Sequence, residues 1–275
     1  MYRERVDPGS SKYNTRNTPK LVGGIDTQST QLAELLYKQV IDTVVPVSSS
    51  EVAEMTKIFE NVFRNVNIAL VNELAQLCER MGMSVWEVIN AAATKPFGFM
   101  KFYPGPGVGG HCIPKDPYYL AYKARELDFH TRFIELAAEI NEYMPYHVVT
   151  RIMEALSTQG KSLQGAKILV LGVAYKADIP DIRESPSLKI VQLLIQKGAQ
   201  VSYNDPFVPV LAPNRGNLTS VALTDDILSS ADCVILATIH STYDLDKIVC
   251  LAKLILDTRG ATRGIDKNNI LRLGE

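Results

Sequence analysis

The stretch from Gly105 to Pro117 reads Gly-Pro-Gly-Val-Gly-Gly-His-Cys-Ile-Pro-Lys-Asp-Pro. Glycines let a ligand reach the backbone, and bare N–H groups there can hold an oxyanion or a phosphate. Cys112 supplies a nucleophile. A neighbouring cation such as Lys115 favours the reactive thiolate, and Asp116 could orient a base or a water. The same residue types also fit a structural turn with an incidental cysteine, and spacing alone leaves both readings open. Gly105 to Gly110 satisfies G-x-G-x-x-G formally. A dinucleotide fingerprint needs a strand before it and a helix after it. Pro104 and Pro106 interrupt any strand, and His111 to Pro117 is expected not to open a regular helix. The junction Leu171-Gly172-Val173-Ala174-Tyr175-Lys176 carries only one of the needed glycines. A cysteine hydrolase would need a Cys–His pair brought together in space. His111 adjoins Cys112, and adjacent side chains in an extended loop diverge.

The elements that must position these residues follow from periodicity. From Ser50 to Met81 apolar residues recur at three and four, including Val52, Met55, Phe59, Val62, Val66, Ala69, Leu70 and Leu77, and Gly82 is a natural stop. Ser84 to Ala93 reads as a second helix. Lys95 to Tyr118 reads as irregular. Tyr119 to Thr158 reads as helical, kinked or split at Pro145. Before these, Pro19 to Gly24 suggests a short strand, Asp26 precedes a helical spacing (Leu32, Leu35, Leu36, Val40), and Thr43 to Val47 is extended. Composition changes near Gln159, and strand and helix then alternate. The strands are Ile168–Val173, Gln200–Asp205, Cys233–Thr238 and Leu254–Thr258, with a helix from Ser185-Pro186 to Lys197. This β-α-β order predicts a doubly wound α/β domain that binds ligands at the carboxyl ends of its strands.

Composition sets outer bounds. The chain has 275 residues, 46% apolar and 21% charged, so wholesale disorder is not expected. Twenty-nine basic and thirty acidic residues give net −1, which removes charge-driven binding to nucleic acid or anionic membranes. No run approaches the ~20 apolar residues of a membrane span. Cys78, Cys112, Cys233 and Cys250 form no C-x-x-C pair. They read as reduced thiols in the cytoplasm, with no zinc site, and all but Cys112 as buried small hydrophobes.

With the Cys112 loop in hand, the chain resembles the UDP-glucose/GDP-mannose dehydrogenase family, closest to its bacterial UDP-N-acetylglucosamine and UDP-N-acetylmannosamine 6-dehydrogenases. Four further stretches match in order: Glu4 to Gly9, Ala53 to Asn61, Ala174-Tyr175-Lys176 through Asp181 to Pro186, and Asp257-Thr258-Arg259-Gly260. The resemblance implies a remnant of an N-terminal Rossmann domain (1–47), an all-helical central dimerisation domain (48–158) and a C-terminal Rossmann-like parallel sheet that binds the UDP-sugar (159–275). It implies NAD-dependent oxidation of a UDP-N-acetylhexosamine C6 alcohol to the acid, for surface polysaccharide precursors. Cys112 would form the thiohemiacetal and thioester. Lys57 and Asn61 would stabilise an oxyanion, Asp116 would orient water, and Glu4 would be a second acid or base. Tyr103, Gly105, Gly107, Lys176 and Arg259 would contact the nucleotide-sugar, and Arg183 the NAD. A homodimer through the central helices is the implied partner. The chain begins where the family's cofactor domain is ending, so it is expected not to reduce NAD alone. The alternative is a non-catalytic UDP-sugar-binding or dimerisation fragment of such an enzyme.

Overall fold

The computed structural model describes residues 12–212 and 217–275. The chain divides into two compact units, one ending at Arg64 and one running from Asn65 to Glu275. In the first unit, β1 (Lys20–Val22) and β2 (Val44–Pro46) pair in parallel, with Lys20 opposite Val44. Helix α1 (Thr27–Tyr37) connects them, and the Asp26 side chain caps it by accepting from the Ser29 N–H. The predicted apolar spacing of α1 is present, yet Leu32, Leu35 and Leu36 all stand exposed. Helix α2 (Ser50–Met81) has the bounds its periodicity predicts.

In the second unit, Ser84 caps α3 (Val85–Ala92) by accepting from Glu87 N–H. Val85, Trp86 and Ile89 pack against Val71, Ala75 and Cys78 of α2. The α/β part is a five-stranded, all-parallel sheet in the order β4-β3-β5-β6-β7. Its strands are β3 (Lys167–Leu171), β4 (Gln200–Asn204), β5 (Cys233–Leu236), β6 (Ile255–Asp257) and β7 (Ile270–Arg272). One face is covered by α6 (Pro186–Gln196) and α5 (Arg132–Thr158). Met144, Val148, Ile152 and Leu156 of α5 share a core with Ile168, Val170 and Ile235. The other face packs Leu228 of α7 (Asp225–Ser230) and Ile248 and Val249 of α8 (Leu245–Leu251) onto Leu169, Leu171, Val234 and Ile255. Buried on both faces, β3 and β5 need the continuous apolar runs that the sequence shows.

Three expectations are corrected. First, Cys112 opens a regular helix, α4 (Cys112–Arg125). Pro114 falls in the first turn, where a backbone N–H has no helical partner in any case, so its ring costs nothing there. Pro117 forgoes one bond further in. Second, the long helical region breaks at residues 126–131, where Asp128 takes φ 54°, and α5 runs unbroken through Pro145. Pro145 has no N–H for the Asn141 carbonyl, which instead faces Gly107. A Cβ on Gly107 would lie 3.1 Å from that oxygen, and Gly107 holds φ 128°. Third, Cys250 is exposed on α8, whereas Cys78 and Cys233 are buried as expected. A seven-residue helix on a sheet buries only one side, and Ile248 and Val249 take it.

Candidate functional site

The site is built around the loop that leads into α4. Its entry is fixed by a chain of buried carboxamides. Gly105 N–H donates to Asn72 Oδ1 at 2.9 Å, Asn72 Nδ2 donates to Asn141 Oδ1 at 2.9 Å, and Asn141 Nδ2 donates to Asn65 Oδ1 at 2.9 Å. Asn72 is fully buried, and Asn65 and Asn141 nearly so. Buried amides persist only with their partners satisfied, so two helices specify where this loop starts.

Gly105 lies so close to Arg259 that an added Cβ would sit 2.9 Å from Nη1. At Gly109 a Cβ would meet Tyr175 Cβ at 2.5 Å. No strand precedes these glycines, as Pro104 and Pro106 predicted, although a helix does follow. Close packing of one protein segment on another leaves no room for a side chain at Gly105 or Gly109. A cavity of about 440 Å³ is lined by Val108 together with Asn65, Tyr118, Asn141, Glu142 and Pro186.

Cys112 is exposed as the first residue of α4. The preceding Gly110 N–H donates to Arg183 O at 2.9 Å, and Lys115 Nζ lies 2.8 Å from Glu184 Oε1. The start of α4 is thereby tied to the segment 175–185. Arg183 forks onto Asp181, with Nη2 to Oδ2 at 2.6 Å. Its pKa is raised chiefly by that carboxylate, with smaller contributions from Tyr175 and Cys112. Asp116 is half-buried and sits one turn beyond Cys112, on the same helix face. His111 stands at the helix N-cap and donates or accepts no side-chain capping bond.

The second wall comes from the carboxyl ends of β3 and β6, where parallel sheets bind ligands. Lys176 follows β3 and is half-buried. Arg259 follows β6. Its Nε donates to Ala237 O at 2.9 Å and its N–H to Asp257 Oδ1 at 2.9 Å. Burial pulls the guanidinium pKa down to about 10, against the opposing pull of Asp257, so it is charged at neutral pH. Three contributors, Arg263, Trp86 and Asn90, escaped the sequence reading. Arg263 stacks over both Trp86 (4.9 Å) and Tyr103 (5.1 Å), and Tyr103 Oη donates to Asn90 Oδ1 at 2.6 Å. Burial pushes the Tyr103 phenol pKa up, but Arg263 and Lys101 outweigh it and hold it below its ordinary value. The Arg259-x-x-x-Arg263 spacing was visible, but its aromatic partners lie far off in sequence.

In the first unit, Lys57 and Asn61 share one face of α2. Asn61 is buried, and Lys57 Nζ lies 3.9 Å from Glu60. Glu4 lies outside the described residues. For a dinucleotide, the described residues offer the exposed cation of Arg183. The strand–helix turn after β3 does not cradle a pyrophosphate. A Cβ at its one glycine, Gly172, would strike Thr238 O at 2.1 Å. One charged contact is not a dinucleotide site.

Known proteins converge on the same two regions. The central domain of the UDP-glucose/GDP-mannose dehydrogenase family matches residues 51–143, and the UDP binding domain of that family matches residues 169–264. A UDP-N-acetyl-D-mannosamine dehydrogenase of Methanococcus maripaludis is 33% identical over 264 residues, 93% of this chain and 59% of its own length. A UDP-N-acetyl-D-glucosamine 6-dehydrogenase of Pseudomonas aeruginosa is 35% identical over 242 residues, 87% of this chain and 56% of its own. The solved structure of a UDP-D-ManNAc dehydrogenase from Pyrococcus horikoshii superposes with a TM-score of 0.85 at 33% identity, covering 99% of this chain and 64% of the other. The chain thus spans less than two thirds of the length of these relatives. With one match over the segment that holds Cys112 and the other over the sheet that presents Lys176 and Arg259, the chain belongs to the UDP-glucose/GDP-mannose dehydrogenase family.

Proposed function

We propose that this chain carries the nucleotide-sugar-binding and covalent-catalysis parts of a 6-dehydrogenase that oxidises the C6 alcohol of a UDP-N-acetylhexosamine to the acid. The observation that carries this reading is the approach of Arg259 to Gly105. It sets a cation suited to a pyrophosphate against the loop that delivers an exposed cysteine. Arg259 and Lys176 take the diphosphate, Arg by its planar fork and Lys as a point charge. Tyr103, Gly105 and Gly107 line the nucleotide side.

Cys112 acts on the C6 aldehyde. Its thiolate sulfur bonds to the carbonyl carbon, and the π electrons move onto oxygen. The adduct keeps a reactive aldehyde from leaving. Lys57 and Asn61 are assigned to that developing oxyanion. Asp116 is assigned to the water that later releases the acid, and Glu4 is a second acid or base. NAD would supply the hydride acceptor that such an oxidation needs, and Arg183 would be one contact to it from this chain. The same family reading brings a homodimer through the helices and a cytoplasmic setting. No described helix is long and apolar enough to cross a membrane.

Calorimetric titration with UDP tests the nucleotide half. Each charge-assisted contact contributes about 1.5–3 kcal/mol, so Lys176→Ala and Arg259→Ala should each weaken UDP binding by roughly ten- to a hundredfold. Equal affinity in wild type and the double variant would refute the assignment. A UDP-sugar 6-aldehyde should also slow alkylation of Cys112.

A further inference from the structure

We infer that His240, buried behind the sheet's carboxyl edge, is a positioning residue that sets the backbone carrying Lys176. The inference rests on the nucleotide reading of Lys176 given above. His240 has a fully buried ring, seated 5.0 Å from the Phe207 ring and 5.4 Å from the Tyr243 ring. A buried imidazole needs work for both nitrogens. Nδ1 accepts the Asp178 N–H at 3.0 Å. That nitrogen therefore carries no proton, and the neutral ring keeps its proton on Nε2. Nε2 stands 3.1 Å from Asp205 Oδ2, close enough for attraction though oblique for a hydrogen bond.

Asp205 is itself immobilised. Its Oδ2 accepts Val173 and Ala174 N–H, and its Oδ1 accepts Phe207 and Val208 N–H. One carboxylate thus fixes the exit of β3 and lies against the histidine. The histidine in turn fixes Asp178, a non-glycine residue at φ 62°, a conformation that persists only where surroundings enforce it. Two more bonds complete the clamp. Thr238 Oγ1 donates to Ala174 O at 2.6 Å, and Ser241 N–H donates to Asp178 Oδ1 at 2.8 Å. Lys176 lies midway between the two anchored residues, Ala174 and Asp178. The segment 238–241 therefore grips the loop on both sides of the lysine, and His240 is the side chain that reads the backbone of Asp178. None of these groups needs to touch the nucleotide. Misplacing a positioned charge by about an ångström is enough to cost a large part of its effect.

The experiment combines UDP titration with hydrogen exchange on the full chain. His240→Phe keeps the packing and removes the acceptor, and His240→Asn returns an acceptor near the Nδ1 position. His240→Phe should weaken UDP binding to within about threefold of Lys176→Ala, the double variant should lose no more than Lys176→Ala alone, and His240→Asn should recover most of the loss. In His240→Phe, amides 174–178 should exchange at least tenfold faster while those of β3 and β5 keep their protection, which also shows that the variant is folded. Unchanged exchange at 174–178, or additive losses in the double variant, would overturn the positioning role. If 174–178 loosens but Lys176→Ala binds UDP like wild type, the nucleotide reading of Lys176 is what has failed, and the inference falls with it.

Discussion

Gly105 N–H donates to the Asn72 side chain across 33 positions of sequence, so a carboxamide on α2 determines where the Cys112 loop begins. Asn72 also donates to Asn141. Asn72→Leu removes both bonds and leaves a buried N–H and a buried carbonyl oxygen without their partner. Each orphaned group costs about 1–3 kcal/mol. Urea unfolding should show a loss of that order or up to twice it, and UDP affinity should fall as well. A midpoint equal to wild type would remove Asn72 from the loop's support.

Gly105→Ala tests the approach of Arg259 directly. The added methyl would sit 2.9 Å from Nη1, so the guanidinium must shift. UDP affinity should drop by about tenfold, or 1.4 kcal/mol. Arg259→Ala should then cost about tenfold less in the Gly105→Ala background than in the wild type.

Thiol labelling should divide the cysteines in two. Cys112 and Cys250 are exposed and should be alkylated in the native protein. Cys78 and Cys233 should not react. Burial raises the pKa of the Cys78 thiol and pushes that of Cys233 up to about 12. Mass spectrometry at pH 8 reads the pattern, and Cys250→Ser isolates Cys112. Native labelling of Cys233 would contradict the packing of β5.

Glu79 links helix α2 to α5 and to the chain's last residues. It receives the Gly274 N–H at 2.7 Å, and His147 Nε2 lies 2.8 Å away. Burial raises its carboxyl pKa, but the bonds from His147 and Gly274 and the charges of His147 and Arg151 together hold it below its ordinary value of 4.5. A depressed carboxyl contributes stability above its unfolded pKa and loses it as pH falls through the folded one. Between about pH 5 and pH 3 the wild type should therefore lose more stability than Glu79→Gln, by a kcal/mol or so. Parallel curves would mean that Glu79 takes no part in the acid transition.

The helices offer a surface for the proposed homodimer. Leu70 and Leu77 of α2 and Phe133 and Leu136 of α5 are all exposed. Fully burying such a side chain is worth about 1.5–3 kcal/mol. Sedimentation at micromolar concentration should report a dimer, and Leu70→Glu should raise its dissociation constant at least tenfold. A monomer in wild type would leave that surface to some other use.

What the sequence determined by itself was whatever near neighbours encode. The three-and-four spacing from Ser50, stopped by Gly82, gave α2 its bounds, and the apolar run from Ile168 marked a strand buried on both faces. The β-α-β alternation after Gln159 implied the parallel sheet, and Gly105 to Pro117 was legible because its residue types are unusual side by side. Tertiary structure decided the rest. Proline rules allowed a kink or a split at Pro145, and packing against the sheet keeps α5 unsplit there, with the Asn141 carbonyl facing Gly107. They also predicted irregular chain at Cys112, yet α4 begins there because the first helical turn has no use for the N–H that Pro114 lacks. β7, α7 and α8 are too short for periodicity to register. The supports of the site, from Asn72 to Gly105, Arg263 to Trp86 and His240 to Asp178, join positions 33, 177 and 62 apart. Local spacing carries no record of such pairs. They form only when burial leaves a polar group one available partner, and the folded chain supplies it.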